Sequence, residues 1–595
     1  MVEFLSANFV PVMFIGLIAF LVIGFPVAFS LAATGLFFGL IGMELGLFPS
    51  NLFQALPLRV FGIMQNDTLL AIPFFTLMGI VLERSRMAED LLETVGQVFG
   101  PLRGGVGVAV VLVGALLAAT TGVVAASVIS MGLIAMPIML RYGYNRTIAT
   151  GTITASGTLA QALPPSLVLI VLADQLGRSV GDMYAGALIP GLSLVGLYLL
   201  FIVVVALVKP GWVPALPPEA RIYNEPNGSS GHMSLLVLLS VCAVASVLWS
   251  QAHESILNPL LERENAAPGD EVFILSTAIG AFLALGLALL NRLFKLGLLS
   301  RLTERVTFVL IPPLVLIFLV LGTIFLGVAT PTEGGAMGAI GALIMAGARR
   351  TLSFNLLKQA LENSTKLAIF VMFILIGSTV FAFTFNAADG HIWVEHLFDK
   401  LPGGQIGFLV VVNFIVFILG MFIDFFEIAF IVVPLLVPVA DKLGIDLIWF
   451  GIILAMNLQT SFLTPPFGFA LFYLRSVAAR NDYDDVVTGK RIKAVTTAQI
   501  YKGSIAFIML QVIMVSVIVL NPGIVTGNLD KATVVDDAAV SDMLNNMQDL
   551  QTDDDDAPDM SGGGAADAAV PEPTAEEDAE VDPAKALEDA MKKAE

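Results

Sequence analysis

The sequence predicts an all-α polytopic membrane protein made of two inverted-topology repeats, each holding a re-entrant hairpin and a broken helix. Three observations predict it. The 595 residues are 57% hydrophobic and only 13% charged, with mean hydropathy +0.88; many apolar runs of about twenty residues then mean many bilayer crossings. Adjacent prolines, Pro164–Pro165 and Pro465–Pro466, stand inside two apolar stretches of spanning length. Four helix breakers also recur at one spacing: Pro137 and Pro438, Gly143 and Gly444, Pro164 and Pro465, and Pro165 and Pro466 each lie 301 residues apart.

Self-similarity at a fixed spacing marks an internal repeat. A proline removes a backbone donor and crowds the preceding turn, so two together break a helix. Inside a bilayer, interrupted backbone persists only where protein buries it or it lines a cavity. Paired Pro-interrupted segments in corresponding halves are the best sequence pointer to a transporter binding site. The competing reading is two kinked helices with no ligand, and the polar residues clustered at both kinks weigh against it.

Taken in order, residues 9–24 and 28–48 read as two spans around Pro26. Residues 51–63 read as interfacial and 68–83 as another span. The charged, amphipathic stretch from Glu83 to Arg103 is a surface arm. Residues 105–140 are apolar but interrupted by small and hydroxyl residues from Leu117 to Ser127, which predicts a hairpin of two half-length helices. The broken helix 146–176 and a span at 183–208 follow. Residues 209–233 are polar and Pro-rich, a linker, and an extra helix pair, 234–250 and 271–291, flanks a polar loop at 251–270. The second repeat opens with a span at 306–329 and a Gly-rich helix from Pro331 to Ala348. A span at 364–385, an arm at 388–404, a hairpin at 405–440, a broken helix at 447–480 and a last span at 499–521 complete it. The expected domains are the first repeat (1–208), linker and extra pair (209–305), inverted second repeat (306–522) and an acidic tail (523–595).

The net charge of −19 belongs mostly to that tail. From Asp530 to Glu595 there are 20 acidic residues and 4 lysines, a balance of −16, so the rest of the chain is near neutral. Low hydrophobicity with high charge cannot bury enough surface to fold, and 530–595 reads as disordered. Residues 1–8 carry Glu3 and no Lys or Arg, unlike a secretory signal. The single Cys242 excludes an intrachain disulfide and a multi-Cys metal site. The four histidines form no zinc-protease motif, and paired-carboxylate signatures are missing. An enzyme is not expected, nor is a nucleic-acid partner or a cofactor.

Charge also orients the chain, because Lys and Arg prefer the cytoplasmic side. Arg84, Arg86, Arg103, Arg141 and Arg146 surround the first arm and hairpin, whereas the second arm carries Asp389, Glu395 and Asp399 against Lys400. The first hairpin should therefore enter from the cytoplasm and the second from outside, with both termini outside. Arg475, Arg480, Lys490, Arg491 and Lys493 then fall inside; Arg59, Arg178 and Arg263 are the exceptions. Inverted repeats with breaks at the midplane are the architecture of alternating-access transporters.

The candidate site residues gather at hairpins and breaks. In the first repeat they are Thr120, Thr121, Gly122 and Ser127, facing Ser156, Gly157, Thr158, Pro164 and Pro165. Hydroxyls often bond back to a helix carbonyl, but the set together offers a cation site. In the second repeat they are Gly420 and Asp424, with Asn457, Gln459, Thr460, Ser461, Thr464, Pro465 and Pro466. An intramembrane carboxylate is a functional candidate by default. Asp424 reads either as a sodium ligand, since hard cations take oxygen, or as a helix N-cap; Glu427 lies three residues on. Glu333 in TPTEGG reads first as the acidic first turn of a helix and second as a coupling group, and the glycines after it allow close helix packing.

The segments ASGTLAQALPPS, GVATPTEGGAMGA and NLQTSFLTPPFGFALFY resemble the large membrane (M) subunit, DctM-like, of TRAP (tripartite ATP-independent periplasmic) transporters, over roughly residues 8–522. The resemblance implies an elevator-type, sodium-coupled importer of small organic anions in the bacterial inner membrane. It also implies a small membrane (Q) subunit and a periplasmic substrate-binding protein that delivers the ligand. TTGVVAASVISMG is similar to the longer branch often labelled mannitol/chloroaromatic, which also has extra central helices. Where many members carry an Asp in the first hairpin, Ser127 stands here. The alternative is a stand-alone sodium/dicarboxylate symporter of related hairpin architecture.

Overall fold

The computed structural model describes residues 2–223, 231–261, 263, 266–399, 401–485, 487–527 and 529. The tail 530–595, expected to be disordered, lies outside the described residues. After α1 (Val2–Ala7), α2 (Phe9–Ile23) ends where Gly24 adopts φ 93, and Pro26 sets up α3 (Val27–Glu44). Then come α4 (Leu56–Met64) and α5 (Ala71–Arg84). With their 3-10 lead-ins they form one element, Leu52–Met64 and Asp67–Arg84, bent by 47°. The stretch 51–63, read as interfacial, is the first limb of this pair and has no buried residue in Leu52–Met64. The cause of the bend is the polar run Gln65–Asp67: the Asn66 side chain accepts from the Thr68 N–H and starts a new helix.

The arm is α6 (Met87–Phe99), and α7 (Gly105–Thr121) with α8 (Val124–Arg141) is the first hairpin. The first broken helix is α9 (Arg146–Thr158) followed by α10 (Leu167–Leu176), and α11 (Val180–Val208) closes the repeat. The extra pair is α12 (His232–Leu260) and α13 (Gly269–Phe294). The predicted loop at 251–270 is thus mostly helix. His253 Nε2 of α12 lies 2.9 Å and Arg263 Nη1 of the short connection 2.8 Å from the Glu271 carboxylate of α13, so the polar residues satisfy one another.

The second repeat runs through α14 (Arg301–Phe325), α15 (Pro331–Ala348), α16 (Phe354–Ala387) and α17 (Gly390–Asp399). Its hairpin is α18 (Gly404–Leu419) and α19 (Phe425–Lys442), and its broken helix is α20 (Leu447–Phe462) and α21 (Phe469–Val477). A two-stranded antiparallel ribbon, β1 (Tyr483–Asp484) and β2 (Arg491–Ile492), precedes α22 (Thr497–Leu520). The ribbon had no counterpart in the sequence reading. Residues 523–526, assigned there to the tail, form α23 (Gly523–Thr526), whose Val525 is buried against α11 and α20. Among the described residues, eight helices are long and apolar enough to cross a membrane, or nine with the bent pair.

The 301-residue offset holds from the bent element to the broken helix. Adding it to the bounds of α8 gives 425–442, the bounds of α19. Adding it to the start of α9 gives 447, the start of α20. Adding it to the bent element 52–84 gives 353–385, the stretch that α16 covers without a bend. Under this offset α3 corresponds to α15 and α5 to α16. The structure packs α3 along α16 and α15 along α5, and likewise α8 on α21 and α19 on α10. Each pair is one contact with the repeats exchanged, as a pseudo-two-fold axis between inverted repeats requires. Small residues let these backbones meet: a Cβ on Gly35 of α3 would lie 2.7 Å from Val380 O of α16, and Thr384 Oγ1 donates to Gly35 O at 2.9 Å.

Candidate functional site

The first hairpin turns at Gly122, whose φ of 60 suits a residue without Cβ and whose N–H donates to Ala118 O. Thr121 Oγ1 and Ser127 Oγ face each other across the turn at 2.7 Å, fully enclosed. Thr120 Oγ1 donates to Leu117 O at 2.9 Å. In the break, α9 unwinds through a 3-10 turn, Leu159–Gln161, before the cis Pro164–Pro165 bond. Ser166 restarts the chain: its Oγ donates to Ala160 O at 2.7 Å and accepts from Val168 N at 3.2 Å, capping α10. Ser156 Oγ donates to Thr152 O at 2.6 Å and Thr158 Oγ1 to Ala155 O at 3.0 Å, so each keeps lone pairs for another partner.

Hairpin and break touch. A Cβ on Gly122 would lie 3.3 Å from Leu167 N, and one on Gly157 would lie 3.0 Å from Val128 N. The first turn and break are therefore in contact, while Ser156 packs lower down on Gly114 of α7, and every candidate here except Gly122, Gly157 and the prolines carries a buried hydroxyl.

The second hairpin turns over Gly420–Asp424, and Gly420 lies against Ser461 so closely that a Cβ there would collide with the serine Oγ. Ser461 Oγ donates to Leu458 O at 2.8 Å, and Thr464 Oγ1 to Thr460 O at 2.9 Å. Asp424 is the N-cap of α19, and its backbone N–H donates to Glu427 Oε2 at 3.2 Å. The capping alternative for Asp424 is thus built into the fold. Two other candidates point elsewhere. Asn457 Nδ2 donates to Asn413 O at 2.7 Å, in a cleft of about 190 Å³ between α18 and α22. Gln459 Nε2 lies 3.4 Å from Tyr198 Oη, toward α11, where Gln511 Nε2 also donates at 2.6 Å. Around the cis Pro465–Pro466 bond, Pro466 and Phe467 are exposed, whereas the first break is enclosed throughout.

Glu333 belongs to neither cluster. It closes a capping box at the start of α15: Thr330 N donates to Glu333 Oε2 at 2.8 Å and Glu333 N to Thr330 Oγ1 at 3.3 Å. Gly335 and Gly338 behind it pack on Phe75 and Met78 of α5, as close packing predicts. The sequence reading missed Glu83, placed there at the edge of the arm. Its Oε1 accepts from Ser130 Oγ of the hairpin helix α8 at 2.5 Å. The amphipathic signal masked it, because a carboxylate at a span's end reads as surface. The two clusters adjoin, since α10, which begins at the first break, packs on α19 and α20.

The profile described as "Tripartite ATP-independent periplasmic transporter, DctM component" matches residues 14–524. The C4-dicarboxylate TRAP transporter large permease protein DctM of Pseudomonas aeruginosa is 28% identical over 432 residues, covering 72% of this chain and 82% of that one. The protein of the same name in Vibrio cholerae is 27% identical over 492 residues, covering 79% and 89%. The isethionate TRAP transporter permease protein DctMQ of Oleidesulfovibrio alaskensis is 23% identical over 469 residues, covering 79% of this chain and 60% of that longer one.

Proposed function

The chain belongs to the DctM-component family of tripartite ATP-independent periplasmic transporters, and from that premise we propose that it imports a small carboxylate-class anion by sodium-coupled secondary transport. It is a TRAP large permease and a multi-pass membrane protein. In this reading a periplasmic binding protein delivers the substrate, a small Q subunit accompanies the chain, and the complex sits in the bacterial inner membrane. The names of the relatives, C4-dicarboxylate and isethionate, support a small anion, and the name DctMQ supports a Q partner.

The observation that carries the reading is the meeting of each hairpin turn with the Pro–Pro break of its own repeat, Gly122 with Leu167 and Gly420 with Ser461. Such junctions combine helix ends with uncharged oxygens, a donor set that suits a hard cation. Thr121, Ser127, Ser156 and Thr158 would supply the first sodium site, and Ser461, Thr460, Thr464 and Asp424 the second. The anion would lie between them, where α10 packs on α19 and α20. The hairpins and broken helices would slide as a unit, elevator-fashion, against the outer helices α3, α5, α15 and α16.

The test is uptake of labelled organic acids into proteoliposomes holding this chain, its Q subunit and the cognate binding protein, with and without an inward sodium gradient. Uptake requiring sodium and the binding protein is the expected result. Sodium-driven uptake without the binding protein would favour a stand-alone symporter, and uptake indifferent to sodium would overturn the coupling.

A further inference from the structure

The two repeats differ most where the 301-residue offset fails. In the first, residues 177–179 join α10 to α11; in the second, residues 478–496 join α21 to α22. The longer connection carries the β ribbon and folds back onto the first repeat. Arg141, at the end of α8, anchors it: Arg141 Nε donates to both carboxylate oxygens of Asp485 at 3.0 Å. Arg475 Nη1 holds its far end through Val495 O at 2.6 Å.

Between this connection, the start of α9 and residues 215–219 lies a cavity of about 810 Å³. Its walls carry Arg141, Arg146, Lys490, Arg491 and Lys493, against one carboxylate, Glu219. Asp485 neutralises Arg141, and Asp482 approaches exposed Arg491 only to 3.8 Å. Among the described residues, no acidic side chain pairs with Arg146, Lys490 or Lys493. Arg146 is half-buried, and its Nε–H is shut away from water with no acceptor among the described residues. A buried donor left unpaired is costly, and an anion held by this guanidinium would lower that cost. Tyr142 and Tyr144 complete the wall with rings of the kind that settle at a membrane interface.

Topology alone does not produce this arrangement. The rule that places Lys and Arg on the cytoplasmic side asks only that they lie in short loops. Here they come from two repeats and converge on one cavity. Basic pockets between helices on the cytoplasmic side suit phosphate headgroups, and guanidinium and ammonium donors match phosphate oxygens. We propose that this cavity binds a phosphate-bearing anion on the cytoplasmic side, held by Arg146, Lys490 and Lys493. The same chemistry comes from an anionic phospholipid headgroup or from a free phosphate compound. Either occupant would tie the connection of the second repeat to the start of the broken helix of the first.

The experiment uses the full chain with its Q subunit in nanodiscs of phosphatidylcholine alone or doped with cardiolipin, compared with Lys490→Gln/Lys493→Gln and Arg146→Gln. Both lysines are exposed, so their replacement spares the fold. Native mass spectrometry reads lipid retention, and thermal unfolding in phosphatidylcholine discs reads stabilisation by inorganic phosphate. The expected result is cardiolipin retention about tenfold weaker in the double variant, with Lys366→Gln on α16 unchanged. Stabilisation by inorganic phosphate that vanishes in the variants, without lipid retention, would support the site and assign it to a soluble anion. Retention and stabilisation unchanged in both variants, or weakened as much by Lys366→Gln, would overturn the proposal.

Discussion

Gly79 on α5 stands so close to the turn of the first hairpin that a Cβ there would fall 2.5 Å from the Thr121 Cα. The second repeat has a related contact, where Ser378 Oγ on α16 donates to Phe430 O on α19. In both repeats an outer helix therefore meets the backbone of its hairpin directly. Overpacking a tight contact costs about 1–3 kcal/mol. Gly79→Val should lower the thermal unfolding midpoint and suppress uptake in proteoliposomes, with the purified complex still eluting as one assembly. Uptake at the wild-type rate would show that the hairpin moves without regard to this contact.

Asp424 and Ser461 separate capping from ion binding. Asn caps a helix about as well as Asp, so Asp424→Asn should leave thermal stability nearly unchanged. Ser461→Ala removes one hydroxyl beside Gly420 and should also assemble. Under the sodium-coupled reading, both variants raise the sodium concentration needed for half-maximal uptake. Identical sodium curves for both variants and the wild type would leave Asp424 as a cap alone.

The breaks, hairpins and repeat were legible because local chain chemistry makes them. The proline pairs at 164–165 and 465–466 end their helices, although Pro312 and Pro313 sit inside unbroken α14, and a spacing of 301 residues is visible in one sequence. Thr330 and Glu333 likewise carry their capping box in their own spacing. What stayed hidden depends on tertiary placement. That Gln459 sits beside the break is plain in sequence, but the rotation of α20 that brings its Nε2 to Tyr198 is not. The bend between 51–63 and 68–83 stayed hidden because it depends on Asn66, whose side chain caps the second limb. His253 looked like loop because it is polar alone, whereas it lies in α12 and pairs with Glu271 of α13.

The contact between α9 and α22 gives a stability test outside both hairpins. Cβ atoms on Gly151 and Gly503 would fall 2.6 Å from the Gly503 carbonyl carbon and 2.8 Å from Gly151 N, respectively. Thr150 Oγ1 bridges the same helices to Gln499 O at 3.2 Å. Neither helix can take a methyl group here without moving apart. Ala normally stabilises a helix by about 1 kcal/mol over Gly, so a negative result is informative. Gly151→Ala and Gly503→Ala should each lower the unfolding midpoint despite that gain. A raised midpoint would mean that the helices part at little cost.

Acid should loosen the connection that follows α21. Burial pushes the Asp485 carboxyl up, but the Thr488 N–H and hydroxyl, at 2.9 and 2.6 Å, and the Arg141 guanidinium outweigh it and hold the group below its ordinary value. A carboxylate with a depressed folded-state pKa adds stability above its unfolded value, roughly 3.9, and loses it as the pH falls through the folded value. The anchor should therefore be whole at neutral pH and fail below about pH 4. Asp485→Asn should lack the contribution at neutral pH and flatten the acid limb. Hydrogen exchange of residues 478–496 at several pH values reads both effects. Wild-type protection should exceed that of the variant at neutral pH, and the two should converge in acid. A gap that stays constant as the pH falls would mean that packing of the ribbon, rather than the Asp485 charge, fixes the connection to α8.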